Sequence, residues 1–307
     1  MNTTTDSTSL GLSNLGLWSM SVIDWINLTC SVLSVIVNTV ALCVFLMSKC
    51  VRSNLFYRLV FCITGFNELY AFQFILHYTL TISTTNKLKY RCSIMSAIAA
   101  ICFGATSAQL AVVAVDRFQA SFPKPTTILQ RRRVFLGYFA FVIDVCIVVF
   151  YVSIAALYGE PEVADCQDSV KVYGYISYSV TVAEGVWTLC CVILVEIPFC
   201  LGTIYRIKQT GVTVQPVNND GIVSIRIPTI SHQQKMKKKM KACTIMCLLV
   251  IIHVTTYFSI LCLLTVLTYK PEEYKTLYQL SWTVTLVQSI LDSVLLLLMI
   301  PSRLQFG

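Results

Sequence analysis

Residues 92–118 read CSIMSAIAAICFGATSAQLAVVAVDRF. Between Cys92 and Asp116 the stretch carries no charged side chain, and small or apolar residues fill nearly all of it. At a rise of 1.5 Å per residue, the distance from Cys92 to Arg117 is roughly 38 Å, one bilayer crossing including headgroup depth. A lone ion cluster, Asp116-Arg117, closes one end. Similar apolar runs lie near 23–47, 55–82, 134–158, 176–205, 242–268 and 277–300. With 93–118 they predict an all-α membrane protein, a bundle of seven transmembrane helices. The composition of the 307 residues agrees: 56% are hydrophobic and 12% charged, where a soluble domain carries roughly 25% charged residues. A chain this poor in charge cannot cover its own surface in water. Most cytosolic enzymes, nucleic-acid binders and secreted disulfide scaffolds are set aside on that ground.

Lys and Arg give the orientation. Seventeen of the 23 fall in the breaks around 49–58, 117–133 and 206–241 and at Arg303, and six fall at 87–91, 171 and 270–275. Cationic loops stay on the cytoplasmic side, so the N-terminus is predicted outside and the C-terminus inside. Residues 1–22 are then an extracellular N-terminus, and 23–306 the membrane domain, with 207–241 as its cytoplasmic loop. No basic stretch precedes the first span, so no cleaved signal peptide is expected. Asn2-Thr3-Thr4 is an outward-facing glycosylation sequon; Asn27-Leu28-Thr29 also matches but sits too near the membrane. The net charge of +8 finds its place in the same reading. The Lys-rich run 235–241 is a stop-transfer flank on anionic lipid, which is compatible with a surface for a cytoplasmic partner. Nucleic acid is not needed to explain it.

Most of the 14 cysteines lie inside apolar runs, where they pack as small apolar residues. Cys92 and Cys166 differ in flanking polar loops. No cysteine spacing resembles a zinc site, and no metal or cofactor is expected. No internal repeat is seen.

Cys92 at the start of the third span and Asp116-Arg117-Phe118 at its end, in a seven-span chain with cationic inner loops, resemble the rhodopsin-like G-protein-coupled receptors. More narrowly, the chain is similar to the nematode serpentine chemoreceptors, in particular the Srbc group. The similar stretches are Asn54-Leu55-Phe56-Tyr57-Arg58, Val115–Phe118 followed by Phe122-Pro123, and Lys241–Ile245 leading to His253-Val254-Thr255-Thr256. The resemblance implies that Cys92 pairs with Cys166, the alternative being two free surface thiols. It implies that Asp116, Arg117 and Phe118 contact a heterotrimeric G protein, that the ligand is a small odorant or pheromone-like molecule, and that the chain is a multi-pass protein of the plasma membrane, a sensory cilium included.

The departures from that pattern bear on mechanism. Thr64 stands where the family has an acid on the second helix. The sixth span lacks Trp and Pro. Asp292-Ser293 replaces Asn-Pro on the seventh, and Leu296 replaces Tyr. No acid lies among 235–241 to pair with Arg117, which leaves Asp116 as its sequence-local partner. The family's switches therefore cannot be copied onto this chain. Arg117 remains either a cationic contact at the inner mouth or a marker of the membrane boundary.

Ionisable groups within a membrane cost about 2.5–3.5 kcal/mol each on insertion scales. Glu68, Asp144, Glu184, Glu196 and Asp292 each ask for a reason. Glu68 and Asp292 are expected to share a polar core between the second and seventh helices, with a structural and switching role weighed against direct ligand contact. The pocket is expected in the outer half of the bundle. Its walls would be Ala99 and Phe103 on the third helix with His77, Tyr178, Glu184, Trp282 and Gln288; Ala100, Phe74 and Trp187 are further candidates. Each of these is also a reasonable packing residue. Ala99 stands where amine receptors carry an acid, so an amine ligand loses its usual counter-ion. A signalling receptor is the leading expectation. A transporter or ion channel using the intramembrane acids is the alternative, although the paired broken helices it calls for are not evident. A retinal pigment would need a lysine in 277–300, which has none. No catalytic constellation facing water is found, so enzymatic activity is not expected.

Overall fold

The structure, a computed structural model, describes residues 21–47, 55–82, 90–122, 126–161, 172–211, 244–245, 247–256 and 271–298. The described residues are helical, with no strand among them. Six of their helical rods are long and apolar enough to cross a membrane. They comprise α1 (Val22–Met47), α2 (Leu55–Ile82), α3 (Arg91–Ala120), α4 (Thr126–Tyr158), a composite fifth rod and α8 (Pro271–Leu298). The fifth rod joins α5 (Ser177–Leu189) to α6 (Ile197–Gly211) through a π-helix, Cys190–Glu196. A shorter apolar helix, α7, covers Cys247–Thr256. An all-α membrane protein is therefore the architecture. Asn2, Cys166, residues 212–243 and residues 257–268 lie outside the described residues; of the expected loop 207–241, residues 207–211 belong instead to α6.

Side-chain size makes α3 the axis of the bundle. Of its apolar window 72% is buried, against 17% for α4. Ala97, Ala100, Gly104, Ala105, Ala108, Ala111 and Ala114 let neighbours approach closely, which is how helices pack where lipid removes the hydrophobic drive between them. At Gly104 an added Cβ would stand 3.3 Å from Ile147 on α4. α2, α4, α5, the π-helix and α6 all pack on α3. α1 packs on α2 and α8.

α1 buries an unusual stripe. Asn27, Ser31, Ser34 and Asn38 are inside, while Val32, Leu33, Ile36 and Val40 are exposed. The pattern inverts that of a soluble amphipathic helix, because lipid rather than water wets the outer face. A capping box starts the helix: Ser21 Oγ accepts from Asp24 N at 3.2 Å, and Asp24 Oδ2 accepts from Ser21 N at 3.0 Å. At its other end α4 runs further than its apolar span, since the Arg131–Arg133 turn stays helical. Charge ends a membrane crossing; it does not end a helix.

Candidate functional site

Three clusters of polar or aromatic side chains lie along the bundle. At the Arg117 end of α3, Asp116 is buried and binds two guanidinium groups. Arg117 donates to Asp116 Oδ2 through Nη2 and, at 3.1 Å, through Nε. Arg133 Nε on α4 donates to Oδ1 at 3.2 Å. The Arg117 guanidinium also lies over the Phe56 ring of α2, 4.1 Å from its centroid, a favourable place for a cation. Phe118 points to the opposite side, with ring centroids 5.0 Å from Phe122 and 5.1 Å from Phe199 of α6. Gly202 makes room for it: a Cβ there would come within 2.7 Å of the ring. The three residues singled out in the sequence thus serve as one ion clamp and one aromatic wedge. Nothing in the sequence marks Arg133, because in the run Arg131-Arg132-Arg133 only the packing of α4 on α3 chooses which cation turns inward.

At mid-bundle, polar side chains connect the helices. Ser107 of α3 shares a 3.3 Å contact with His253 Nε2 of α7, and Gln288 Nε2 of α8 lies 3.4 Å from His253 Nδ1. Gln288 Nε2 also donates to Asp292 Oδ2 at 3.5 Å. Ser293 donates to Asn38 Oδ1, and Asn38 Nδ2 donates to Ser34 O at 2.8 Å and to Ser289 Oγ at 3.1 Å. Ser34 and Ser289 hydroxyls lie 2.9 Å apart. Toward the Cys92 end, Thr283 donates to Asn27 Oδ1 at 2.6 Å. Glu196, the last residue of the π-helix, is fully buried, has no hydrogen-bond partner on either carboxyl oxygen among the described residues, and lies within electrostatic reach of Asp292. A π-helix places one extra residue in a turn and is common at functional positions. A water-sized space of about 20 Å³ opens beside this network, lined in part by Asn67, Thr106, Gln288 and Ser289.

Of the two acids expected to share a polar core, Asp292 lies in this network and Glu68 makes its hydrogen bond to α1. Glu68 Oε1 accepts from Thr39 of α1 at 2.8 Å. Its neighbour Asn67 is the α2 residue that interacts with Asp292. One residue is a 100° turn on a helix, enough to exchange which side chain faces α8. Asp144 accepts from Gln109 Nε2 of α3 at 2.5 Å.

The residues expected to line a ligand pocket fall into two groups. Phe103, Trp282 and His77 meet Tyr70 and Phe74 in an edge-on aromatic cluster between α2, α3 and α8. Ring centroids are 5.0 Å apart for Tyr70–Phe103, 5.1 Å for Phe74–Trp282 and 6.5 Å for His77–Trp282. Ala99 packs on the same cluster, and Gln288 sits below it in the polar network. Glu184 lies elsewhere, within electrostatic reach of Tyr151 and Tyr173. Trp187 donates to Gly104 O at 3.2 Å, pinning α5 to α3. Tyr178 belongs to α5, and its side chain lies outside the described residues.

Cys92 is disulfide-bonded. Cys30, Cys43, Cys62, Cys102, Cys146, Cys190, Cys191, Cys200 and Cys247 are free, so the partner of Cys92 lies outside the described residues, as does Cys166. The described ends of the loop that contains Cys166 are tied near Cys92: Tyr90 N donates to Pro161 O at 3.0 Å, and Glu160 N to Val172 O at 3.1 Å. No cluster of three metal-binding side chains occurs among the described residues. Compared with known proteins, the chain matches no family model and no curated protein.

Proposed function

We propose that the chain is a chemosensory receptor of the plasma membrane. It has seven transmembrane helices, its N-terminus outside and its C-terminus inside. A small external molecule binds near the aromatic cluster at the Cys92 end, and a heterotrimeric G protein is engaged at the Arg117 end. α7, continued through the apolar residues 257–268, supplies the seventh crossing. Cys166 is the partner of Cys92, and Asn2 carries a glycan. The observation that carries the reading is the Asp116 clamp. A guanidinium held at the mouth of the central helix, one membrane crossing from a disulfide, is a releasable contact for a partner's carbonyl groups.

The mid-bundle network supplies what such a device needs between its ends. Helices α3, α7 and α8 meet through Ser107, His253 and Gln288, and a bound molecule that prefers one packing of these helices shifts the population toward it. The test is G-protein activation in cells expressing the chain, over a panel of volatile and water-soluble odorants. At least one compound is expected to activate, and Arg117→Ala is expected to abolish the response with surface level and ligand affinity retained. A normal response from Arg117→Ala overturns the coupling role. Glu196, buried and without a hydrogen-bond partner among the described residues, favours a second reading, an ion-conducting or transporting protein. Flux through the purified chain in liposomes, lost in Glu196→Gln, would select it.

A further inference from the structure

A groove of about 790 Å³ between α2, α3 and α4 at the Arg117 end plays no part in the reading above. Arg58 of α2 and Arg133 of α4 line it at one end, and Gln109 and Asp144 line it at the other. From Arg133 to Asp144 the rise of α4 is roughly 16 Å, about half of a bilayer's hydrocarbon core. The groove is therefore one leaflet deep, with cations at headgroup level and hydrogen-bonded polar groups near the midplane. Leu59, Gly137 and Phe141 are among its apolar walls. Gly137 sets its width, since a Cβ there would stand 3.1 Å from Leu55 Cδ1. The open flank carries Val134, Tyr138 and Phe141, all well exposed, as side chains that meet lipid are.

We propose that this groove binds one anionic phospholipid of the adjoining leaflet, with its phosphate between Arg58 and Arg133 and one acyl chain laid along Leu59, Gly137 and Phe141. Charge selects the occupant. Arg58 and Arg133 both line the groove, and a planar guanidinium matches a phosphate in bidentate fashion. A zwitterionic lipid brings a cation of its own to the same place. Depth selects it too, because a slot that ends at the midplane fits one leaflet's chain. Arg133 gives Nε to Asp116 and, having five N–H donors, has others to offer a phosphate. Lipid and Asp116 then share Arg133, and an occupied groove leaves Asp116 more fully to Arg117. The charge of the leaflet is thereby linked to the clamp.

The test uses the full chain in phosphatidylcholine nanodiscs doped with photoactivatable phosphatidylserine or, in parallel, with the matching photoactivatable phosphatidylcholine. Adducts are mapped by peptide mass. Phosphatidylserine adducts are expected within 55–62 and 133–144, well above those of phosphatidylcholine. Arg58→Gln, a change at an exposed residue outside the Asp116 pair, is expected to lower them about fivefold. Gly137→Leu, which fills the groove and keeps both cations, is expected to remove them. Arg131→Gln with Arg132→Gln takes two exposed charges from the same helix end and is expected to leave them in place. Equal labelling by phosphatidylcholine overturns the proposal. So does a loss in the Arg131/Arg132 variant as large as in Arg58→Gln, which would reduce the effect to general surface charge.

Discussion

Asp116 is the residue on which the Arg117 end of the bundle turns. Its carboxylate is almost entirely out of solvent, whereas the Arg117 and Arg133 side chains keep 26% and 30% of their exposure. Removing one partner of a buried ion pair costs about 3–5 kcal/mol, and exposure of the cations lowers that toward ~1–2 kcal/mol here. Asp116→Asn keeps the volume and removes the charge that both guanidinium groups share. It is expected to destabilise the protein by that amount and to raise ligand-free signalling, because Arg117 is released. Arg133→Gln leaves the Asp116–Arg117 pair and is expected to do less on both counts. Thermal unfolding of the purified variants, beside basal G-protein activation, measures the two effects; identical behaviour of the variants would sink the shared-clamp account. The sequence displays Asp116-Arg117 openly, as ions at the end of an uncharged run. It cannot display Arg133, which differs from Arg131 and Arg132 only by its phase around α4.

At the scale of the element, α1 shows what a hydrophobicity reading takes in and what it passes over. The span is plain from its apolar residues, but those residues face outward. Its packing is done by Asn27, Ser31, Ser34 and Asn38, polar side chains at heptad-like spacing, and that spacing was the available signal. Glu68 and Asn67 make the same point: adjacent in sequence, they face different helices, and the phase that separates them is set by tertiary packing. The π-helix is less legible still, since Cys190–Glu196 contains nothing that marks a widened turn. The α1–α8 seam gives a prediction. Asn38→Leu removes the acceptor of Ser293 and the donor to Ser289 within a lipid-bounded interface. Interhelical hydrogen bonds in membranes are worth roughly 0.6–1.7 kcal/mol each, so a loss of about 1–3 kcal/mol is expected. Ile36→Ala, on the lipid face two residues away, is expected to change little. Unfolding of both variants in nanodiscs checks the contrast, and equal stability of the two would mean that the polar stripe does not hold the helices together.

For the whole molecule, the number of crossings decides which faces the two ends of the device occupy. Among the described residues, six rods are long enough to span. The described part of α7, Cys247–Thr256, rises only about 15 Å, half of a hydrocarbon core. Yet it is held at both nitrogens of one ring: His253 Nε2 meets Ser107 of α3 and Nδ1 meets Gln288 of α8. A helix held at mid-bundle by its own side chain is not lying on the surface, and residues 257–268 that follow it in sequence are apolar. Seven crossings put the two termini on opposite faces; six put them on the same face. Seven crossings also gather the Lys-rich run 235–241 and the Asp116 clamp on the cationic side. The prediction is that a tag at the N-terminus is stained on intact cells, while tags near Asn218 and after Gly307 are stained only after permeabilisation. Asn2→Gln is expected to abolish a glycosidase-sensitive mass shift, an independent report on the first of these faces. Staining of the N-terminal and Gly307 tags together on intact cells would make α7 a re-entrant helix. The His253 network would then line a cavity rather than join a seventh crossing, and the ion-conducting reading would displace the receptor.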